Sequence, residues 1–247
     1  MKIGIVQTRP VKGDVGANLA DHQRWAGLAV EKGVDLLVFP ELSITGYEPS
    51  LAGELAMTKE DPRFEGLQRI SDRYGIYLGI GAPVRGEEGV MIGMVILRPD
   101  RERLLYAKQY LHSDEEPFFV PGKEQVFLSL DDHKIAFVIC YELSVPEHSV
   151  NAYSHRANIY LVSVAKTAAG LEKAAETLAG IACTYSMTVL MANSVGECAD
   201  GLCAGGSMVL DDQGEALAVL DDQEEGMLIY DTASRLVSNP IGDLNLV

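Results

Sequence analysis

FVICYELS, residues 137–144, is the stretch on which the reading turns. Three apolar residues, two of them β-branched, lead into Cys140, and residues suited to a helical turn follow. Where a strand gives way to a helix, the junction residue stands at the end of a sheet beside backbone N–H groups. A free cysteine is by default a buried, inert residue, and becomes a nucleophile only among charged neighbours. Two further stretches supply such neighbours. In FPELSITGY (39–47), Glu41 stands at the carboxyl end of a strand-like run, where ligands collect in open α/β sheets. In LLYAKQYL (104–111), Lys108 falls in an alternating strand with Tyr106 and Tyr110 on its side and Leu105 and Ala107 on the other. Glu41 precedes Lys108 by 67 residues and Lys108 precedes Cys140 by 32, so only the fold can bring them together. A thiol, an acid–base group and a cation are the set needed to hydrolyse an amide through a thioester.

Composition narrows the alternatives. With 247 residues, 47% of them hydrophobic, the chain can bury a substantial core as one domain over 1–247. The net charge is −16, from 20 basic and 36 acidic residues. That balance argues against a nucleic acid or an anionic membrane as partner, since both recruit clustered lysine and arginine. The opening MKIGIVQTRP lacks the apolar core of a secretory signal, and no apolar run approaches the roughly 20 residues of a membrane span. Cysteines 140, 183, 198 and 203 therefore read as reduced thiols of a cytoplasmic protein. Cys198 and Cys203 lack the second pair or nearby histidine that a metal site would want, so no metal is expected.

Short apolar runs alternate with helical stretches along the chain. Strands are expected at 2–8, 35–41, 159–165, 188–195, 207–220 and 226–232, and a strand-rich segment between residues 76 and 140. Helices are expected at 17–32 before Gly33, 62–74 between Pro62 and Gly75, 146–157 and 171–186. The last carries Leu171, Ala174, Ala175, Leu178, Ala182 and Tyr185 on one face. Asp212-Gln213-Gly214 marks a hairpin turn. The pattern is that of an α/β protein with helices outside and buried strands inside.

FPELSITGY, YAKQYL and ICYEL together resemble the glutamate, lysine and cysteine signatures of the nitrilase superfamily, the carbon–nitrogen hydrolases. The likeness continues in Val6-Gln7 with Gly13-Asp14 and Asn18, in Phe119-Val120-Pro121-Gly122, in Met191-Ala192-Asn193-Ser194-Val195-Gly196, and in Gly206-Ser207. It implies a four-layer α-β-β-α sandwich with two mixed β-sheets, no cofactor, and at least a homodimer, with Asn239-Pro240-Ile241-Gly242 within reach of a partner. It implies that Glu41 is the general base and Cys140 the nucleophile. Lys108 and the backbone N–H of Tyr141 would hold the oxyanion. The family's second glutamate lies six residues before a Pro-Gly; that offset lands on Glu115, with Glu116 beside it.

Departures bear on the substrate. Many members carry an arginine soon after the Cys-Tyr pair where this chain has Ser144, which weakens an assignment to carboxylated substrates, since such an arginine pairs with carboxylate. Lys166 replaces the more usual small or aromatic residue, and either lines the pocket or faces water. The reading is an amidase acting on a small amide, with a nitrilase, an N-carbamoyl amide hydrolase, a papain-like Cys–His hydrolase and a catalytically silent binding scaffold as alternatives.

Overall fold

Ile3 and Ile5 of strand β1 (Lys2–Gln7) turn to one side of their sheet and Val6 to the other, and all three are sealed from solvent. That demand on both faces explains why the apolar runs lack a polar alternation and why they sit centrally. The computed structural model describes residues 1–199 and 201–242. Its first sheet runs β15 (Leu236–Ser238), β14 (Gly226–Asp231), β1, β2 (Leu36–Val38), β3 (Tyr77–Arg85), β4 (Val90–Arg98) and β5 (Arg101–Ala107). The second runs β13 (Ala216–Val219), β12 (Met208–Leu210), β9 (Thr188–Ala192), β8 (Ile159–Ser163), β7 (His133–Ile139) and β6 (Phe127–Leu130). Three parallel strands form the centre of each, β1-β2-β3 and β7-β8-β9, with antiparallel strands at the flanks.

The sheets pack face to face. Ile3, Leu36, Val38 and Met94 from the first meet Ile135, Phe137, Leu161 and Leu190 from the second in one apolar layer. On the outer face of the first sheet, Trp25, Ala26 and Ala29 of α1 (Val15–Glu31) and Leu67 of α3 (Glu65–Tyr74) cover Leu37 and Leu78. The short α2 (Ala52–Leu55) lies between these two helices in the chain. On the outer face of the second sheet, Ala152 of α4 (Pro146–Ser154) and Ala174 and Leu178 of α5 (Ala168–Tyr185) cover Val138, Tyr160 and Val189. The result is the expected four-layer α-β-β-α sandwich of two mixed sheets. No helix among the described residues is long and apolar enough to cross a membrane.

Local signals set the helix ends. Asp14 caps α1 by accepting the Ala17 N–H at 2.9 Å, and Gly75 ends α3 in the left-handed region at φ 72°. Three expectations need correction. The segment around Lys108 stops being a strand at Ala107, because its next donors and acceptors turn elsewhere: the Lys108 carbonyl accepts the Gly122 N–H, and the Gln109 N–H donates to Glu142. Strand β2 ends at Val38, so Glu41 stands three residues beyond it in a turn. Between 195 and 204 the chain forms an unforeseen hairpin, β10 (Val195–Cys198) with β11 (Gly201–Ala204).

Candidate active site

Glu41 is placed by a turn laid across the carboxyl end of the first sheet. The Ile44 N–H donates to the Gly81 carbonyl, and Ser163 of β8 donates its hydroxyl to Phe39 O at 2.9 Å, tying the turn to both sheets. Leu42, directly after Glu41, has φ 50°, so the turn is sharp. The approach is close enough that Gly81 has no room for a side chain.

Lys108 is completely buried, an uncommon place for an ammonium without partners. It has two. Nζ donates to Glu41 Oε1 at 2.9 Å and to Glu115 Oε1 at 2.6 Å. Glu115 is fixed in turn: Oε1 also accepts the Tyr47 hydroxyl at 3.0 Å, and Oε2 accepts the His112 N–H at 2.8 Å. Its neighbour Glu116 points to solvent, so of the two adjacent glutamates Glu115 is the one that reaches Lys108.

Cys140 follows β7 and opens a 3₁₀ turn (Cys140–Ser144). Its φ is 46°, the left-handed region that a non-glycine residue adopts at a cost of about 1 kcal/mol or more. At this bend Cys140 lines a pocket of about 170 Å3. Tyr47, Glu115, Tyr141 and Lys166 share that pocket with Cys140. Lys166 therefore lines the pocket. Its backbone is held by Asn193, which accepts the Lys166 N–H at 2.8 Å and donates to the Lys166 carbonyl at 3.1 Å. Ser144 is exposed and lies outside the pocket wall.

The charges are strongly coupled. Burial pushes the Glu41 carboxyl above the ordinary range, with the charge of Glu115 adding to it and Lys108 opposing it. Burial also works against the Lys108 ammonium, but Glu41, Cys140 and Glu115 outweigh it and hold the lysine above its usual value. The Cys140 thiol is pushed up to about 12, first by burial and then by Glu41, while Lys108 and Lys166 pull it down. That upward push favours the neutral thiol at rest, and Glu41 is the carboxylate that hydrogen-bonds with it.

The remaining thiols and histidines stand apart from this arrangement. Cys183 is exposed on α5, and Cys203 of the unforeseen hairpin hydrogen-bonds with Cys198. Among the described residues no histidine hydrogen-bonds Cys140; His112, on the pocket wall, pairs with Asp114 at 2.6 Å. Two residues given no role by the sequence now matter. Tyr47 ends the FPELSITGY stretch and holds Glu115. Glu142, buried two residues past Cys140, bonds to the backbone on both sides of the site; an acid inside an apolar junction was the available signal.

Known amidases resemble this chain in sequence and in fold. An amidase from Nesterenkonia sp. AN1 superposes with a TM-score of 0.85 at 28% identity, over 94% of this chain and 92% of that one. Structures of that amidase include a complex with butyramide and a covalent acrylamide adduct at its active-site cysteine. A hydrolase of Pseudomonas protegens encoded in the pqqF 5′ region is 30% identical over 67% of this chain, which spans 59% of that relative's length. The 2-oxoglutaramate amidase of Bacillus subtilis is 28% identical over 76% of this chain and 74% of its own. The carbon-nitrogen hydrolase family model matches residues 2–239. With that match over nearly the whole chain, the protein belongs to the carbon–nitrogen hydrolase family of enzymes, within the nitrilase superfamily.

Proposed function

We propose that the protein hydrolyses a small amide to a carboxylic acid and ammonia through a thioester on Cys140. The observation that carries this reading is the convergence of Lys108 on Glu41 and Glu115, all three buried, beside a cysteine that lines a pocket. Glu41 takes the thiol proton as Cys140 attacks the carbonyl carbon. The tetrahedral oxyanion is held by the Lys108 ammonium, a buried charged donor, and by the Tyr141 N–H. Collapse expels ammonia, which leaves with the proton stored on Glu41, and the acyl group remains on sulfur. Water then gives its proton to Glu41 and attacks the thioester, releasing the acid and restoring the thiol. Glu115 orients Lys108 and keeps its charge compensated.

The pocket volume of about 170 Å3 suits a short acyl chain, in line with the butyramide bound by the Nesterenkonia amidase. Lys166 contributes a positive charge to the pocket wall. A cytoplasmic homodimer is the working assembly we infer from four cysteines that are all free thiols and from the likeness to family members that associate through a helical face.

Ammonia release from a pooled panel of small amides, nitriles and carbamoyl compounds tests the reading. Release by the wild type that is lost in Cys140→Ala supports it, and splitting the pool separates amides from nitriles. Undiminished release by Cys140→Ala overturns it.

A further inference from the structure

Glu142 lies behind the pocket, fully buried, and its carboxylate collects three donors. Oε1 accepts the Gln109 N–H at 2.6 Å. Oε2 accepts the Ile139 N–H at 2.7 Å and the Tyr106 hydroxyl at 2.6 Å. Gln109 directly follows Lys108, and Ile139 directly precedes Cys140. The first segment leaves β5 of one sheet and the second ends β7 of the other. A single side chain therefore bridges the two sheets at the backbone of both reacting residues.

We propose that Glu142 is a positioning residue that fixes the Cys140 thiol against the Lys108 ammonium. This inference rests on the reading of Cys140 and Lys108 as the reacting pair. Cys140 is held at φ 46°, a conformation that persists only where neighbouring bonds over-determine it, and the Ile139–Glu142 bond does so at the adjoining peptide. The Gln109 N–H has left the β4–β5 ladder and finds its partner in Glu142 instead of water.

The surrounding groups commit Glu142 to this task. The Tyr106 hydroxyl has one proton, and it goes to Glu142. The contact of 2.9 Å between Tyr106 Oη and His148 Nε2 then requires Nε2 to be the donor. His148 Nδ1 is left as an acceptor, and it meets the Tyr160 hydroxyl at 2.8 Å and the Gln125 amide at 3.2 Å. Every proton in the chain points toward the carboxylate. Tyr106 and Lys108 face Glu142 from β5 and its end, His148 from α4 and Tyr160 from β8. No guanidinium or ammonium is hydrogen-bonded to Glu142 among the described residues, so the carboxylate is free to serve the two backbone donors.

Glu142→Gln is the direct test, because a carboxamide has one acceptor oxygen where the site presents backbone donors on both sides. One arm must break while volume is unchanged. The readout is alkylation of Cys140 by iodoacetamide in the full-length protein, followed by peptide mapping, together with kcat and KM on a hydrolysed amide. Removing a negative charge, or loosening the turn and exposing the thiol, speeds alkylation; loss of position relative to Glu41 and Lys108 slows it. We expect a slowing of about tenfold or more, with kcat down by about two orders of magnitude and KM within threefold. A folded Glu142→Gln protein with unchanged or faster alkylation overturns the proposal. Should that variant fail to fold, Glu142→Asp carries the test: it keeps both oxygens but withdraws them by one methylene, so slowing supports the proposal and an unchanged rate overturns it. Ammonia release that is the same in the wild type and in Cys140→Ala would instead defeat the reading of Cys140 as the nucleophile beneath it.

Discussion

Lys108 Nζ lies 2.6 Å from Glu115 Oε1, and neither side chain reaches solvent. Such a pair is weak evidence of stability by itself, because both ions were taken out of water, but removal of one partner strands the other. Glu115→Ala would also leave the Tyr47 hydroxyl and the His112 N–H without their acceptor. The expected cost is about 3–5 kcal/mol of stability, read from denaturant unfolding, with activity lost as well. Glu115→Gln keeps acceptor capacity for one of those donors while removing the charge. It should fold with a smaller penalty and still lose most of its turnover; wild-type turnover in a folded Glu115→Gln would show that the second carboxylate is dispensable.

His22 gives the fold a dependence on acid. It is buried against Phe39, with ring centroids 3.9 Å apart, and burial lowers its pKa from 6.5 to about 4. Nδ1 donates to the Asn18 carbonyl at 2.6 Å and Nε2 accepts the Ser43 hydroxyl at 2.9 Å, so the neutral ring locks α1 to the turn that carries Glu41. The unfolded chain binds the proton more readily than the folded one. The contribution is therefore complete above pH 6.5 and is lost as pH falls towards 4, amounting to about 3 kcal/mol. Urea midpoints at pH 7.5 and 4.5 should differ more for the wild type than for His22→Gln. Equal differences would remove His22 from the account.

Much of this was legible in the sequence, and the misses have a common cause. FVICYELS announced a strand with a cysteine at its end and a helical turn after it, because the signal is local: an apolar run, then residues that break it. Gly75 announced a helix end for the same reason. The end of the Lys108 strand was not legible, because it is decided by Gly122 and Glu142, 14 and 34 residues away. The same holds for the pairing of Lys2 with Asp231 at the middle of a sheet. Glu115 and Glu116 are equivalent as letters, and only the loop's course separates a buried ion pair from a solvated carboxylate. Glu142 reads only as an acid inside an apolar junction until three donors are seen to converge on it.

Lys166 brings a charge into the pocket with no ion-pair partner among the described residues, and its field lowers the Cys140 thiol against the larger push from burial and Glu41. Lys166→Met keeps the length of the stem and removes the charge. The thiol should become harder to ionise, and alkylation at pH 8 should slow by about threefold to tenfold. A rate equal to wild type would place the ammonium too far from the sulfur to matter.

Two glycines set the distances on which the site depends. A Cβ on Gly81 would stand 2.2 Å from the Pro40 carbonyl oxygen and 2.6 Å from the Leu42 nitrogen, so the peptides on either side of Glu41 occupy that space. A Cβ on Gly122 would stand 2.2 Å from the Ala107 carbonyl oxygen, next to Lys108. Neither contact can be relieved by a side-chain rotation, because backbone is on the receiving side. Gly81→Ala must lift the Glu41 turn off the sheet, and Gly122→Ala must shift the Lys108 segment. A displacement of about 1 Å at a reacting group is worth about two orders of magnitude in rate, against about 1–3 kcal/mol in stability. Gly180→Ala is the matched comparison, since a Cβ there in α5 meets nothing within 4 Å and should leave activity intact while adding a few tenths of a kcal/mol or more to stability. Ammonia release and thermal unfolding on the three variants separate the effects. Full turnover in Gly81→Ala would mean that Glu41 tolerates displacement, and so that its contact with Lys108 does not set the rate.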